Sequence, residues 1–419
     1  MWRSNCIFVL ISSILWCDLI DRSFALSKHP VIIVTAFDGF RYDYFARGLT
    51  PTLEEIANNG TKAKFMMNQF PTITFPNFHS ISTGMHTETH GVIGNKAFNE
   101  KQECIEYSYE LFHYNEEIVP LWNLNEMSGD QRYSGTMMWP GSNFAYQNKH
   151  STFYQAFNIT TPWFKRVDTV ISWITHPKTP ANLVYLYFEQ PDEAGHQFGP
   201  DSDQMNLQLV RINHIVDYFK AKLMDEGLWD KVNLLFLADH GMAKVQSQGV
   251  IDLDQILNPG SYKFCGSSPG LHVVPKSGLE DQAYGNLTAA ANKAKTFQVF
   301  KPNEIPDRWF FKRNTRNIGF FVQSIDGYVF QDAKTLKGDH GYDNLDPRMH
   351  PMFFAYGPLI KKNHQVKPFN NIDLYPFIAY VLELQTLPAH IKPNGTLSTN
   401  LISMLKDYND MSKYEYTVV

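Results

Sequence analysis

Three short apolar runs constrain this chain more than any other feature. They are Pro30 to Phe37 (P-V-I-I-V-T-A-F), Leu183 to Phe188 (L-V-Y-L-Y-F) and Val232 to Ala238 (V-N-L-L-F-L-A). A strand with one wet face alternates apolar and polar residues. These runs barely alternate, so they read as strands buried on both faces, the habit of parallel sheets. Helical patterns lie between them. Thr50-Pro51 opens one, with Leu53 and Ile56 on one side and Gly60 beyond its end. Asp203 to Glu226 is a longer one, with Met205, Leu209, Ile212, Val216, Phe219 and Leu223 stepping by fours and threes, and Gly227 closing it. Strands alternating with helices give an α/β fold around a mostly parallel sheet.

The runs share a second property: each leads into an acid, Asp38, Asp192 and Asp239. One acid after a strand is ordinarily a turn former. Three of them are a different matter, because open α/β sheets bind ligands outside the carboxyl ends of their strands. Asp192 and His196 are four apart, on one face if that turn is helical. With His240 and His350 they make six oxygen or nitrogen donors of the kind that divalent cations take, enough for two ions. Asp339-His340-Gly341 repeats Asp239-His240-Gly241, but it follows the polar Lys334-Thr335-Leu336-Lys337 instead of a buried strand. By position it is passed over as a ligand. His79, His86 and His90 are read as structural.

Phe70 to Asn95 supplies the reactive group. Thr74 precedes Phe75-Pro76, and Pro76 to Ser82 reads as a short helix closed by Gly84. A hydroxyl near a helix N-terminus is well placed for an anion. It becomes a nucleophile only when a base or a metal activates it, and no base stands beside it in the sequence. Two metals can activate an attacking oxygen and stabilise an in-line displacement at phosphorus.

The chain has 419 residues and a net charge of −5 without a basic run, which argues against long nucleic acids as partners. Arg3, the apolar Ile7 to Ile20 and Ser23-Phe24-Ala25 read as a signal peptide over residues 1–25. Four N-x-S/T sequons, at Asn59, Asn158, Asn286 and Asn394, fit a glycosylated surface. Beyond the leader, Cys104 and Cys265 remain, and the sequence leaves open whether they pair. The polar tail, 406–419, reads as neither a span nor a lipid-anchor signal. The expectation is a secreted protein with no stable membrane anchor, one catalytic domain over 26–405, and a mixed insert near 250–338 with strands at Leu271 to Val274 and Gly319 to Val322. Residues 97–162 read as loops and short elements.

Five segments together resemble the nucleotide pyrophosphatase/phosphodiesterase family of the alkaline phosphatase superfamily. They are F-P-T-I-T-F-P-N from Phe70, G-V-I-G-N ending at Asn95, E-Q-P-D-E-A-G-H-Q-F-G-P from Glu189, A-D-H-G-M from Ala238, and G-D-H-G-Y-D-N with M-H-P-M-F-F-A-Y-G-P from Gly338. The resemblance implies an alkaline-phosphatase-like fold with helices on both faces of the sheet. It implies two zinc ions, one held by Asp38, Thr74, Asp239 and His240, the other by Asp192, His196 and His350. Thr74 would form a phospho-threonine that water hydrolyses, with Asn95 and the Thr74 backbone N–H on a phosphoryl oxygen. Phe75 and Tyr154 would grip a base, and Trp139 adds flat apolar surface. The substrate is then a small phosphodiester, in first place a nucleotide pyrophosphate. The same aromatics suit a choline phosphodiester by cation–π contact. A phosphomonoesterase or sulfatase is disfavoured by Thr74 and Asn95, and a catalytically silent extracellular binding protein by the intact donor set.

Overall fold

A computed structural model describes residues 26–385 and 391–406. The expected leader, and all of the tail except Lys406, lie outside the described residues. The main sheet contains β1 (Val31–Phe37), β2 (Thr61–Ala63), β3 (Ser134–Met137), β4 (Phe153–Gln155), β5 (Leu183–Phe188), β6 (Val232–Leu237), β7 (Phe353–Tyr356) and β8 (His364–Val366). Their spatial order is β8-β2-β7-β6-β1-β5-β3-β4. From β6 through β4 every pairing is parallel. β7 runs antiparallel to both β6 and β2, and β8 pairs parallel with β2. No residue of β1 is more than 3% exposed. Successive side chains of a strand point to opposite faces, so both faces of the sheet are covered.

The helices begin and end close to where the sequence places them. Pro51–Asn59 starts on Pro51 and buries Leu53 and Ile56, but the Thr50 hydroxyl makes no cap bond. Gly60 ends it for a reason beyond helix stopping: a Cβ there would sit 2.1 Å from the Ala355 carbonyl of β7. Asp203–Asp225 is capped by the Ser202 hydroxyl, which accepts from the Met205 N–H, and its six stripe residues are buried. The helix after Phe70 runs Thr74–Thr83, so Thr74 is its first residue and Pro76 its third. Proline is tolerated there because first-turn N–H groups have no intrahelical partner. Gly84 follows with φ +69°, the left-handed cap.

The stretch read as loops also feeds the sheet. β3 and β4 extend its edge, and Trp122 and Trp139 are each 1% exposed beneath it. The insert builds a second core from Leu271, Val273, Leu287, Val322 and Phe330 among others. Its antiparallel sheet has four strands, Tyr262–Ser267, Gly270–Pro275, Phe320–Ser324 and Phe297–Phe300, in that spatial order. Cys104 and Cys265 form a disulfide across 161 residues, joining this sheet to the hairpin of Ala97–Phe98 and Cys104–Ile105. Trp309 stacks face to face on Phe70 at 3.9 Å, which clamps the insert onto the segment leading to Thr74.

Candidate active site

The topology concentrates the acids. β6, β1 and β5 are neighbours, so the segments leaving their carboxyl ends emerge side by side. Asp38 follows β1 directly, Asp239 lies two residues past β6, and Asp192 opens the helix Asp192–Phe198 after β5. Asp239 Oδ2 is 3.0 Å and Asp38 Oδ1 3.3 Å from His240 Nε2. Thr74 Oγ1 is 3.2 Å from the same nitrogen and 7% exposed. One helical turn past Asp192, His196 places Nε2 at 3.3 Å from Asp192 Oδ2.

The third imidazole of this cluster is His340, not His350. His340 Nε2 lies 3.3 Å from Asp192 Oδ1 and 3.0 Å from His196 Nε2, and its ring stacks on His240 at 3.5 Å. The reason is a strand pairing that no local pattern shows. Gly338–Asp339 pairs antiparallel with Ala243–Lys244, which lays the two Asp-His-Gly tripeptides against each other. The repeat itself was the available signal. His350 stacks on Phe65 at 4.2 Å, with Nε2 3.1 Å from the Asn344 carbonyl.

The donor set fits metal cations on the structure's own terms. Asp38 Oδ1, Asp192 Oδ1 and Asp239 Oδ2 are buried with no hydrogen-bond donor. Each histidine uses Nδ1 on a backbone carbonyl: His196 on Gly338 at 3.0 Å, His240 on Gly241 at 2.8 Å, His340 on Thr72 at 3.0 Å. A carbonyl only accepts, so Nδ1 carries a proton, and in the neutral ring each Nε2 then presents a lone pair. Carboxylate oxygens and bare nitrogens thus face one another, in groups whose ligand atoms lie within 4.8 Å. The electrostatics register how closely these acids and imidazoles are crowded. Burial, then Asp239 and Asp192, hold the Asp38 carboxyl well above the ordinary range. Burial opposes the His196 cation, yet Asp192 and Asp339 keep its pKa at about 10. Burial and His240 push His340 well below its ordinary value. A divalent ion placed here would take over the role of such protons and satisfy the acids together.

Residues 32–343 match the family model for type I phosphodiesterase / nucleotide pyrophosphatase. The chain belongs to this family. It is 32% identical over 402 residues to the bis(5'-adenosyl)-triphosphatase of Xenopus laevis, covering 93% of this chain and 85% of that one. It is 34% identical over 392 residues to the human ectonucleotide pyrophosphatase/phosphodiesterase family member 5, covering 91% and 80% respectively. The murine ectonucleotide pyrophosphatase/phosphodiesterase 5, solved as an inactive threonine-to-alanine variant in complex with AMP, superposes with a TM-score of 0.83 at 34% identity. It covers 90% of this chain and 100% of the solved one. Like its family, this chain is a hydrolase of the pyrophosphatase/phosphodiesterase class.

Around this cluster, the expected substrate residues divide. Asn95 lies against the Thr74–Thr83 helix, its Oδ1 accepting from the Phe75 N–H at 2.9 Å. Phe75 is half-buried, with Tyr107 at 5.2 Å and Phe112 at 5.5 Å. Trp139 does not line a cleft. It is core, its Nε1 donating to Ser82 Oγ at 2.7 Å and its ring against Phe78 and Tyr185. Tyr154 stands half-exposed on the edge strand β4, stacked on His150. Phe157, 50% exposed, is the aromatic of this segment whose ring lies near Tyr187, at 6.1 Å. Tyr187 donates its hydroxyl to Asp38 Oδ2 at 2.6 Å. Phe153, Tyr154 and Phe157 sit in one short aromatic stretch, and only the strand's end decides which one turns toward Tyr187. The sequon residues Asn59, Asn158, Asn286 and Asn394 are all exposed.

Proposed function

We propose that this protein is a two-zinc phosphodiesterase that hydrolyses nucleotide pyrophosphate or phosphodiester bonds through Thr74. The observation that carries this reading is the convergence of Thr74 Oγ1 with Asp38, Asp239 and His240, beside Asp192, His196 and His340. Asp38, Thr74, Asp239 and His240 would hold one ion, and Asp192, His196 and His340 the other. The mix of carboxylate oxygen and imidazole nitrogen suits zinc. When bound, such a pair activates an attacking oxygen and offsets charge on the phosphoryl group.

The chain's own residues do the rest. The Thr74 hydroxyl gives up its proton as Oγ attacks phosphorus, the new Oγ–P bond forms as the bond to the leaving oxygen breaks, that oxygen departs and takes up a proton, and a nucleoside monophosphoryl group stays on Thr74. Water then attacks the same phosphorus, Oγ departs and regains a proton, and the monophosphate is released. The helix N-terminus at Thr74 and the Asn95 amide steady the phosphoryl oxygens. Phe75 and Phe157 offer apolar faces to a base. A relative inactivated at one threonine and binding AMP supports both the nucleophile and the substrate class.

The leader and the Cys104–Cys265 disulfide support secretion, since such bonds persist in oxidising compartments. Among the described residues, no helix is long and apolar enough to cross a membrane.

The test is hydrolysis by the expressed protein of a nitrophenyl nucleoside 5′-monophosphate and a nitrophenyl phosphocholine, each with and without chelator. Zinc content and acid-quench capture of a nucleotidyl-threonine complete it. Chelator-sensitive turnover of the nucleotide ester, lost in Thr74→Ala, is expected. Preference for the choline ester moves the substrate to choline phosphodiesters. Zinc without turnover of either ester overturns the enzymatic reading.

A further inference from the structure

His340 and Thr74 belong to distant segments, and their relative placement decides whether nucleophile and donors form one centre. Thr72 stands between them. It is fully buried and makes three hydrogen bonds to the loop that carries His340. Its hydroxyl donates to the Tyr342 carbonyl at 2.8 Å and accepts from the Gly341 N–H at 3.0 Å. Its own carbonyl takes the Nδ1–H of His340 at 3.0 Å. Two residues later the chain reaches Thr74.

The two loops touch with nothing to spare. Gly341 has φ +109°, and a Cβ there would lie 2.7 Å from Pro269 Cδ and 3.0 Å from Ile73 Cγ1. On the other side the Asn77 side chain holds the Thr72 segment, accepting from the Gln69 N–H and donating to the Pro71 and Ile73 carbonyls. The segment is therefore rigid, and its register against the 340–342 loop is set by the Thr72 hydroxyl.

We infer that Thr72 is a positioning residue: it locks His340 in the Nδ1–H tautomer, aims Nε2 at Asp192, and fixes that imidazole relative to Thr74. This role presupposes the metal-dependent centre proposed above. Without the hydroxyl, the Gly341 N–H and Tyr342 carbonyl lose their partner in the interior. The loop then shifts to satisfy them and carries His340 with it.

The experiment compares wild type, Thr72→Val, which lacks the hydroxyl, and Thr72→Ser, which keeps it. Metal retained per chain is measured against increasing chelator, alongside kcat and KM for the nitrophenyl nucleotide ester. Thr72→Val is expected to lose one of its ions about 10- to 100-fold more readily and to lose kcat by a similar factor, with KM little changed. Thr72→Ser is expected to restore both. Wild-type behaviour of Thr72→Val overturns the inference. So does equal damage in both variants, which would assign the effect to side-chain packing at this position and not to the hydroxyl. If Thr72→Val does not fold, Thr72→Ala takes its place with the same readouts: wild-type metal retention and kcat overturn the inference, and loss of both, restored in Thr72→Ser, upholds it. Wild type without bound metal, or an active Thr74→Ala, strikes the functional reading. Metal-loaded, active wild type with an unaffected Thr72→Val strikes Thr72 alone.

Discussion

Replacing His340 and His350 by alanine, one at a time, separates a ligand from a packing residue. His340 Nε2 lies 3.3 Å from Asp192 Oδ1 and 3.0 Å from His196 Nε2. Residues that merely support a ligand are worth about 10- to 100-fold in metal affinity or activity. Removing the ligand itself is expected to cost more than about 100-fold in kcat, with roughly one ion lost per chain. His350→Ala removes a stack on Phe65, about 0.5–1.5 kcal/mol, and a bond to the Asn344 carbonyl, about 0.5–1.5 kcal/mol. It should therefore lower unfolding stability by about 1–3 kcal/mol while keeping both ions. Metal per chain by plasma mass spectrometry, kcat for the nitrophenyl nucleotide ester, and urea midpoints read all three quantities. An ion lost from His350→Ala and kept in His340→Ala would refute the pairing of the two Asp-His-Gly segments as the basis of the site.

Trp139→Phe gives up the Nε1 bond to Ser82 in the core, so stability should fall by about 1–3 kcal/mol with KM unmoved; a raised KM at unchanged stability would return Trp139 to the cleft. Cys104→Ser paired with Cys265→Ser opens a 161-residue loop and should cost about 2–5 kcal/mol in urea titrations, and an unchanged midpoint counts against it. Burial holds His79 down at about 3 and His272 down at about 4. Both are free to take a proton near pH 6.5 when unfolded, so their stabilisation is complete above that pH and drains away as pH falls toward those lower values. Between pH 6.5 and 5 each should cost about 2 kcal/mol. His79→Leu should flatten that acid slope in urea melts, and an unaltered slope refutes the assignment.

What the sequence revealed was set by how local the cause was. β1, β5 and β6 are legible because double-sided burial writes itself as an unbroken apolar run. Asp38, Asp192 and Asp239 follow, since the rule about strand ends needs no tertiary detail. The strand Tyr262–Ser267 is only partly covered, with Cys265 its one buried residue, so it left no such run. His340 was missed because Lys334 to Lys337 looks like surface, and the pairing of Gly338–Asp339 with Ala243–Lys244 spans almost a hundred residues of sequence. Trp139 and Tyr154 looked alike as aromatics. One lies beneath the sheet and the other on its rim, a difference made by β3 and β4 joining an edge that sequence periodicity did not show.

The sulfur bridge gives the covalent chain an unusual topology at its working centre. Asp192, His196, Asp239 and His240 lie inside the ring closed by Cys104 and Cys265, while Asp38, Thr74 and His340 lie on its two outer arms. A protease that nicks the ring once produces no separable fragments. Both arms and the opened ring remain one molecule, and every donor stays tethered to its partners. Cleavage in either arm has no such insurance. Exposed surface loops inside the ring can thus be cut without dispersing the catalytic groups, whereas integrity of the short arm from Asp38 to Thr74 has no covalent backup.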